Sequence, residues 1–293
     1  MQSYFIDFLE RYPYPEQAKQ EFIKALDACL ESSRASAIFH SLLKRYEEDM
    51  RTDWKTLLED MQTVSQIVGI NEKVGNAILI ICLTKQLKVY YAENGLPEEL
   101  FYNTMHDILY KALECRDVKG IYGIFVPEWY MYFFRLELFG MKRLQFQITT
   151  LRKEYTVDGI TLPPETPALS VHIPRTGTSM DHDLVQQDYA DAARFFKQLG
   201  RIEKPVFFCS SWLLFSKHRE MLSEKSNIIK FMNDFTIVEE RLYDDYSQLW
   251  RLFDMEYTDV DLLPADSSLR RGYIDLIRKG EKTGTAVGIF IYK

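Results

Sequence analysis

Residues 169–196 read LSVHIPRTGTSMDHDLVQQDYADAARFF and contain a strand, a loop and a helix in succession. Over 169–173, apolar residues alternate with serine and histidine in the two-residue period of a half-buried strand, and Pro174 ends that strand. From Asp181 to Leu199, apolar residues recur at helical spacing. A strand that leads through a short loop into a helix indicates an α/β or α+β layered domain.

The same kind of signal continues on both sides of this unit. Residues 144–151 alternate between apolar and polar side chains, and strand and helix patterns follow one another to the end of the chain. The predicted elements are strands 144–151 and 169–173, helix 181–199, strand 206–209, helices within 212–231, strands 236–243 and 248–255, helix 267–279 and strand 286–292.

The N-terminal half has a different pattern. From Ser3 to about Tyr132, apolar residues recur every three or four positions, which predicts a succession of amphipathic helices. The segment 74–91 is apolar on most sides, as expected of a helix at the centre of a bundle. We therefore predict an all-helical domain over 1–130 and a mixed-sheet α/β (α+β) domain over 131–293.

Composition excludes several classes of protein. The net charge of −7 does not suit a nucleic-acid-binding surface, which must neutralise phosphates. The longest apolar run, 77–83, is far shorter than the roughly 20 residues of a membrane helix. The N-terminus lacks the basic and apolar regions of a secretory signal. We expect a cytoplasmic protein without nucleic-acid or membrane partners.

The cysteines and histidines show no metal-binding spacing. There is no CxxC or HExxH motif, so we predict no metal site and reduced thiols. These residues are Cys29, Cys82, Cys115, Cys209, His40, His106, His172, His182 and His218.

Five stretches of the C-terminal half carry a family resemblance. They are LSVHIPRTG (169–177), DYADAARFF (188–196), FFCSSWLLF (207–215), SNIIKFMNDF (226–235) and LLPADSSLRRGYIDLIRKG (262–280). In this order they resemble bacterial acyltransferase-like proteins that join a helical N-acyltransferase N-terminal domain to a GNAT-like C-terminal domain. The N-terminal half agrees with this resemblance in helical character and length.

The resemblance implies a fold and an activity. In GNAT proteins acyl-CoA enters between two diverging strands, which correspond here to 169–173 and 206–209. The pantetheine pairs with strand backbone, and the pyrophosphate meets amides at the start of the following helix. The implied activity is acyl transfer from acyl-CoA or acetyl-CoA to a small-molecule acceptor, and we expect an amine.

The loop before the helix departs from the GNAT pattern. GNAT enzymes carry R/Q-x-x-G-x-G/A there, whereas this chain has PRTGTS (174–179). One glycine, one arginine and three hydroxyls can still surround a phosphate. The alternative for this loop is an ordinary turn with a helix cap. Arg270 lies in the predicted helix 267–279, and its alternative role is on a solvated or salt-bridged helix face. The candidate cofactor-binding residues are Ile173, Arg175, Thr176, Gly177, Thr178, Ser179 and Arg270.

Two further segments carry candidate catalytic residues. His172 faces away from the apolar side of its strand and is a candidate general base, or else a structural histidine. In GNAT enzymes this region supplies the acid that protonates the leaving CoA thiolate, and the resemblance makes Ser211, or Ser210, the candidate for that role. Cys209 is a candidate covalent nucleophile if His172 lowers its pKa. The alternative is a buried cysteine, a serine helix cap and a core Trp212.

Three residues are candidates for substrate binding. Trp212 follows the second of the two strands, Asn227 follows the cap Ser226, and Glu239 lies in a late strand. Their ordinary roles would be core packing, helix capping and solvation of a strand edge.

Two other functions compete with catalysis. One is a degenerate GNAT-like fold that binds a ligand or protein, for which the missing glycine pattern is the argument. The other is a scaffold that uses its helical half as an interaction surface. The helical half would line the acceptor pocket or form a homodimer, and the sequence leaves both open.

Overall fold

The computed structural model describes residues 1–292 and divides the chain into two compact units, residues 1–140 and residues 141 onward. The sequence places this boundary near residue 130. The intervening segment packs with the first unit: Tyr46 Oη donates to the carbonyl of Phe134 at 2.8 Å, and the N–H of Gly140 donates to Thr104 Oγ1 at 3.0 Å.

The first unit consists of helices, with one short strand at its end. Its elements are α1 (Gln2–Arg11), α2 (Glu16–Glu31), α3 (Ser33–Glu48), α4 (Trp54–Val68), α5 (Glu72–Glu93), α6 (Glu98–Met105), α7 (Asp107–Lys119), α8 (Tyr130–Phe134) and β1 (Leu138–Gly140).

Helix α5 occupies the centre of this unit. Its residues 74–84 are all buried, as the apolar sequence predicts. Asn71 caps its first turn by accepting a hydrogen bond from the N–H of Lys73, which satisfies one of the free donors at a helix start. Within residues 1–292, no helix combines the length and apolarity needed to cross a membrane.

The second unit mixes strands and helices. Its elements are β2 (Gln145–Thr150), β3 (Tyr155–Val157), β4 (Ile160–Leu162), β5 (Pro167–His172), α9 (His182–Gln198), β6 (Val206–Ser211), α10 (His218–Met221), α11 (Asn227–Asn233), β7 (Thr236–Leu242), α12 (Trp250–Phe253), α13 (Ser268–Arg278) and β8 (Gly284–Ile291).

Five strands of this unit form a mixed sheet in the order β2-β5-β6-β8-β7, and β3 and β4 form a separate hairpin. Strands β5 and β6 are parallel, and the other pairs are antiparallel. Parallel neighbours need a crossover, which α9 supplies between β5 and β6. The helical first part and the mixed-sheet second part confirm the predicted fold class.

The two faces of the sheet are covered differently. On one face, the ring of Tyr189 in α9 lies 5.1 Å from that of Phe207 and 4.9 Å from that of Phe290. On the other face, Val157 and Leu162 of the β3–β4 hairpin pack in a cluster with residues of β5, β6 and β8. The sheet therefore has an aromatic core on the α9 side and an aliphatic core under the hairpin.

One prediction about local structure is wrong, and one hairpin was missed. The predicted strand 248–255 is instead the short helix α12, because Leu249 and Phe253, four residues apart, are both buried in the same apolar cluster. The β3–β4 hairpin was not predicted. Its turn is Asp158-Gly159, a favoured hairpin pair, with positive φ values of 51° and 77°.

Candidate active site

Strands β5 and β6 pair with each other over a very short length. Their parallel ladder consists of Leu169 with Phe207 and Ser170 with Phe208. Each strand nevertheless continues in regular pairing on its other side, β5 with β2 as far as His172 and β6 with β8 as far as Ser211. The two strands therefore part beyond the second pair, where the resemblance to GNAT proteins predicts divergence.

Side-chain alternation sorts the candidate residues onto two faces of the sheet. Because Ser170 pairs with Phe208 and both outer ladders are regular, Ser210 lies on the same face as His172. Gln147 pairs with Ser170, so its side chain is on this face too. Cys209 and Ser211 lie on the opposite, aromatic face. The diverging ends thus present a polar face on one side.

His172 is held by a neighbouring strand. Its Nε2 lies 3.0 Å from Gln147 Oε1. With the amide oxygen facing the ring, Nε2 carries the proton and Nδ1 is the acceptor nitrogen. Burial lowers the pKa of His172 to about 4, so the imidazole is neutral at pH 7. A neutral, oriented imidazole can accept a proton.

Cys209 lies in a different environment from His172. Its side chain is fully buried on the aromatic face, and this burial raises the pKa of the thiol. A cysteine nucleophile needs the opposite, a lowered pKa and access to substrate. The structure therefore does not bring together the Cys209–His172 pair that the covalent mechanism requires.

Ser210, Ser211 and Trp212 follow Cys209, and each lies in a different environment. Ser211 Oγ accepts a hydrogen bond from the N–H of Leu213 at 3.2 Å and so caps the short helical turn that follows β6. Trp212 is half-buried and packs edge-on against His218, with ring centroids 5.8 Å apart. Ser210 is exposed on the same face as His172. Ser211 and Trp212 thus have the structural contacts of the alternative interpretation.

The start of α9 is already occupied by a carboxylate. Asp181 Oδ1 accepts hydrogen bonds from the N–H groups of Asp183 and Leu184 at 3.1 and 3.3 Å. These are the amides that a helix start would otherwise offer to an anion. Two of the amides at this helix start are therefore taken, and contact between a pyrophosphate and the loop before α9 stays a prediction.

The loop before α9 is largely bonded to its own protein. Thr176 Oγ1 and Thr178 Oγ1 are 2.7 Å apart, and Ser179 Oγ accepts a hydrogen bond from Asn227 Nδ2 at 2.9 Å. Gly177 is exposed with a φ of 74°, a left-handed conformation that glycine adopts without strain. Ile173 is half-buried at the start of this loop. The predicted loop residues thus form a compact turn docked on the start of α11.

The two candidate arginines meet on one carboxylate. Arg175 Nε lies 3.0 Å from Asp254 Oδ1, and Arg270 Nη2 lies 2.6 Å from Asp254 Oδ2. Residues 95 positions apart in the chain are thereby joined, since Arg175 belongs to the loop after β5 and Arg270 to α13. Sequence reasoning identified both arginines but not the aspartate between them.

Glu239 is bonded to side chains in β3 and just before it. Its carboxylate lies 2.9 Å from Lys153 Nζ and accepts a hydrogen bond from Tyr155 Oη at 2.5 Å. The hydrogen bond from Tyr155, together with that from Lys153, lowers the pKa of Glu239. This ion pair ties the hairpin region to β7, which gives Glu239 a structural partner.

Sequence analysis missed three residues of this region. Gln147 was assigned to a strand without a role, Asp181 was the presumed first residue of a helix, and Asp254 lay in the wrongly predicted strand 248–255. For Asp181 a signal existed, because aspartate is a preferred helix cap. Across residues 1–292, no group of three His, Cys, Asp or Glu side chains is arranged to hold a metal ion.

Solved structures with the same fold are acyltransferases. One, an acyltransferase in complex with decanoyl-CoA, is 19% identical with a TM-score of 0.78. A second, in complex with decanoyl-CoA and teicoplanin, is 21% identical with a TM-score of 0.75. A third, an acyltransferase mutant with octanoyl-CoA, is 20% identical with a TM-score of 0.76. Each alignment covers 98% of this chain and 87% of the other.

Family models account for nearly the whole chain. The model described as N-acyltransferase N-terminal domain matches residues 4–136, and the model described as GNAT-like C-terminal domain matches residues 138–290. Among curated proteins none matches this chain. The family resemblance seen in the sequence is thus confirmed, and the chain belongs to the acyltransferase family whose members carry an N-acyltransferase N-terminal domain followed by a GNAT-like C-terminal domain.

Proposed function

We propose that this protein transfers an acyl group from acyl-CoA to an amine of a small-molecule acceptor by direct attack. The observation that carries the proposal is the short β5–β6 ladder, whose two pairs leave the ends of both strands apart. Backbone N–H and C=O groups at such an edge can pair with the amides of pantetheine, as a further strand would.

His172 is the proposed general base. The amine attacks the thioester carbonyl, the new C–N bond forms, and the C–S bond breaks. The amine proton passes to the neutral imidazole, which is held by Gln147, and then to the departing CoA sulfur. A pKa of about 4 makes the imidazolium a short-lived acid that gives up this proton readily. Ser210, exposed on the same face, is the proposed hydrogen-bond partner of the leaving thiolate.

The acyl donor and acceptor are proposed from the similar structures. Those proteins were crystallised with octanoyl-CoA, decanoyl-CoA and teicoplanin, which supports a medium-length acyl chain as the first donor to test. Teicoplanin is accordingly the first acceptor to test. Acetyl-CoA is the short-chain comparison.

Calorimetric titration tests donor binding, and release of free CoA thiol tests turnover. We expect decanoyl-CoA or octanoyl-CoA to bind, and thiol to appear only when an accepted amine from a panel that includes teicoplanin is present. His172→Ala should slow thiol release by about 10²-fold or more while it leaves donor binding within a few-fold, because general-base catalysis contributes about 10²–10⁴-fold. Absence of binding by every acyl-CoA tested would refute the proposal.

A catalytically inactive binding module is the second candidate. The loop 174–179 favours it, because this loop departs from the glycine pattern R/Q-x-x-G-x-G/A that GNAT enzymes carry there. Acyl-CoA binding without thiol release across the whole amine panel would support this candidate over the enzyme.

A further inference from the structure

Three tyrosines line one cavity in the second unit, at the place where β7 ends and β8 begins. The cavity has a volume of about 570 Å³ and is lined by Tyr243, Asp244, Asp245, Tyr246, Ser247, Tyr257, Gly280 and Lys282. Pockets for small molecules in proteins occupy about 300–1,000 Å³. The cavity is therefore large enough for a small organic ligand, and the proposed acyl transfer uses none of its residues.

The tyrosines form fixed walls of this cavity. The rings of Tyr246 and Tyr257 pack edge to face, with centroids 5.2 Å apart and an angle of 68° between their planes. Tyr246 Oη donates to the carbonyl of Glu281 at 3.1 Å, and the N–H of Tyr243 donates to the carbonyl of Thr283 at 2.8 Å. All three tyrosines are half-buried. These contacts hold the walls in place before a ligand enters, which lowers the entropic cost of binding.

The protein places none of its own cations over these rings. Among residues 1–292, the lysine and arginine side chains that lie over aromatic rings do so elsewhere, and not at Tyr243, Tyr246 or Tyr257. Lys282, which lines the same cavity, is bound to Asp244 instead, with Nζ 2.7 Å from Oδ1. The negative faces of the three rings therefore carry no side-chain cation.

The charged side chains of the cavity are two carboxylates and one ammonium, which gives a net charge of −1. Asp244 is paired with Lys282, whereas Asp245 Oδ1 accepts a hydrogen bond from the N–H of Ser247 at 2.9 Å. Hydrogen bonding from Ser247 lowers the pKa of Asp245, so this carboxylate is ionised at pH 7. Net negative charge beside aromatic faces is the combination that attracts an organic cation.

We propose that this cavity binds an organic ammonium group, with the rings of Tyr246 and Tyr257 against the cation and Asp245 as its counter-charge. Alkyl groups on the nitrogen suit the aromatic walls, and the positive charge suits the ring faces. A hard inorganic cation would instead need several oxygen ligands arranged around it. The inference goes beyond the proposed function and does not depend on it.

Choline is the probe for this site, and the comparison is its uncharged analogue, in which a carbon atom replaces the nitrogen. The two molecules share a shape and differ in charge. NMR titration of their methyl protons with the full chain measures affinity and location together, because protons above a ring face shift upfield. At low ionic strength we expect saturable choline binding with an upfield shift, and binding of the uncharged analogue about tenfold weaker or less tight still.

Two variants test the counter-charge. Asp245→Asn keeps the size of the side chain and removes its charge, so choline should bind about threefold more weakly, with the uncharged analogue unchanged. Asp261→Asn is the matched control. It removes the same charge outside the cavity, where Asp261 lies 2.7 Å from Arg278, and it should leave choline affinity within about 1.5-fold.

Two further variants test the ring. Tyr257→Leu keeps an apolar side chain but removes the ring face, so choline should bind about fivefold more weakly. Tyr257→Phe keeps the ring, and its choline affinity should stay within about twofold of the wild type. Asp245 is exposed, so its variant tests the proposal even if Tyr257→Leu does not fold.

Equal affinity for choline and its uncharged analogue overturns the inference, as does unchanged choline binding by Tyr257→Leu or by Asp245→Asn. A loss in Asp261→Asn equal to that in Asp245→Asn also overturns it, because the effect would then be one of overall charge. Absence of saturable choline binding by the wild type refutes it outright. No measurement contains acyl-CoA, so each of these results leaves the proposed function standing.

Discussion

Asp188 in α9 offers a direct test of how the sheet is joined to its helix. Its side chain is fully buried, and its two carboxylate oxygens accept three backbone hydrogen bonds. The donors are the N–H groups of Lys142, Arg143 and Leu144, at 3.1, 2.6 and 2.7 Å. These residues lead into β2, the strand that carries Gln147. We predict that Asp188→Ala loosens this attachment.

The loss of unfolding free energy in Asp188→Ala can be worked out from the backbone N–H donors that lose their acceptor. The N–H groups of Arg143 and Leu144 are buried, and each orphaned donor of this kind costs about 1–3 kcal/mol. Burial also raises the pKa of Asp188, so removing the carboxylate returns part of its desolvation cost. We expect a net loss of about 3 kcal/mol, or about 6–12 °C in the melting temperature of the second unit.

Scanning calorimetry of the full chain measures the transition, and amide hydrogen exchange of Arg143 and Leu144 gives a local reading. Both amides should lose protection in Asp188→Ala. Asp191→Ala, one turn further along α9, is the control, because Asp191 contacts only the side chains of Gln187 and Arg194 in the hydrogen bonds seen for it. A loss below about 1 kcal/mol, or one equal to the control, would refute this account.

Three other changes test the site and the core. Gln147→Leu should lower kcat about tenfold and leave the KM for acyl-CoA unchanged, because it removes the partner of His172 without touching the CoA site; an altered KM with normal kcat would contradict this. Cys209→Ala should keep the wild-type rate within about twofold, since the thiol is buried and its pKa raised, and a loss near that of His172→Ala would restore the covalent mechanism. Burial lowers the pKa of His218 to about 4 against 6.5 when unfolded, so the unfolded chain takes up the proton first and stability falls as pH drops through this window. The difference in unfolding free energy between wild type and His218→Gln should therefore shrink by about 2 kcal/mol from pH 7 to pH 5 in urea titrations, and a constant difference would contradict it.

The spacing of apolar residues predicted those helices and strands that bury one face along their whole length. Helix α9 and strands β2 and β5 lie within two residues of their predicted bounds, because one face of each is consistently apolar. Helix α12 was mistaken for a strand because four residues are too few to show a helical period. The β3–β4 hairpin has strands of three residues, and there only the Asp-Gly turn carried information.

For the candidate site, the sequence predicted only what the alternation of side chains along a strand determines. Alternation correctly placed His172 opposite the apolar side of its strand. The partners of the candidate residues depend on tertiary contacts that no local pattern contains, such as Asp254 reaching Arg175 across 79 positions of sequence. Likewise, a carboxylate and a bound phosphate satisfy the same helix amides, so a sequence with a good cap at Asp181 can be read as an anion site.

The diverging strands and the neutral base have a common origin in strand β2. Its ladder with β5 runs to His172, so β5 stays extended after it has parted from β6. The same ladder sets Gln147 on the face of His172 and supplies the acceptor for its Nε2. Because Asp188 anchors the entry to β2, a single buried carboxylate on the opposite, aromatic side of the sheet supports both the gap and the orientation of the proposed base. Disturbing that anchor should therefore reduce donor binding and turnover together, whereas Gln147→Leu should affect turnover alone.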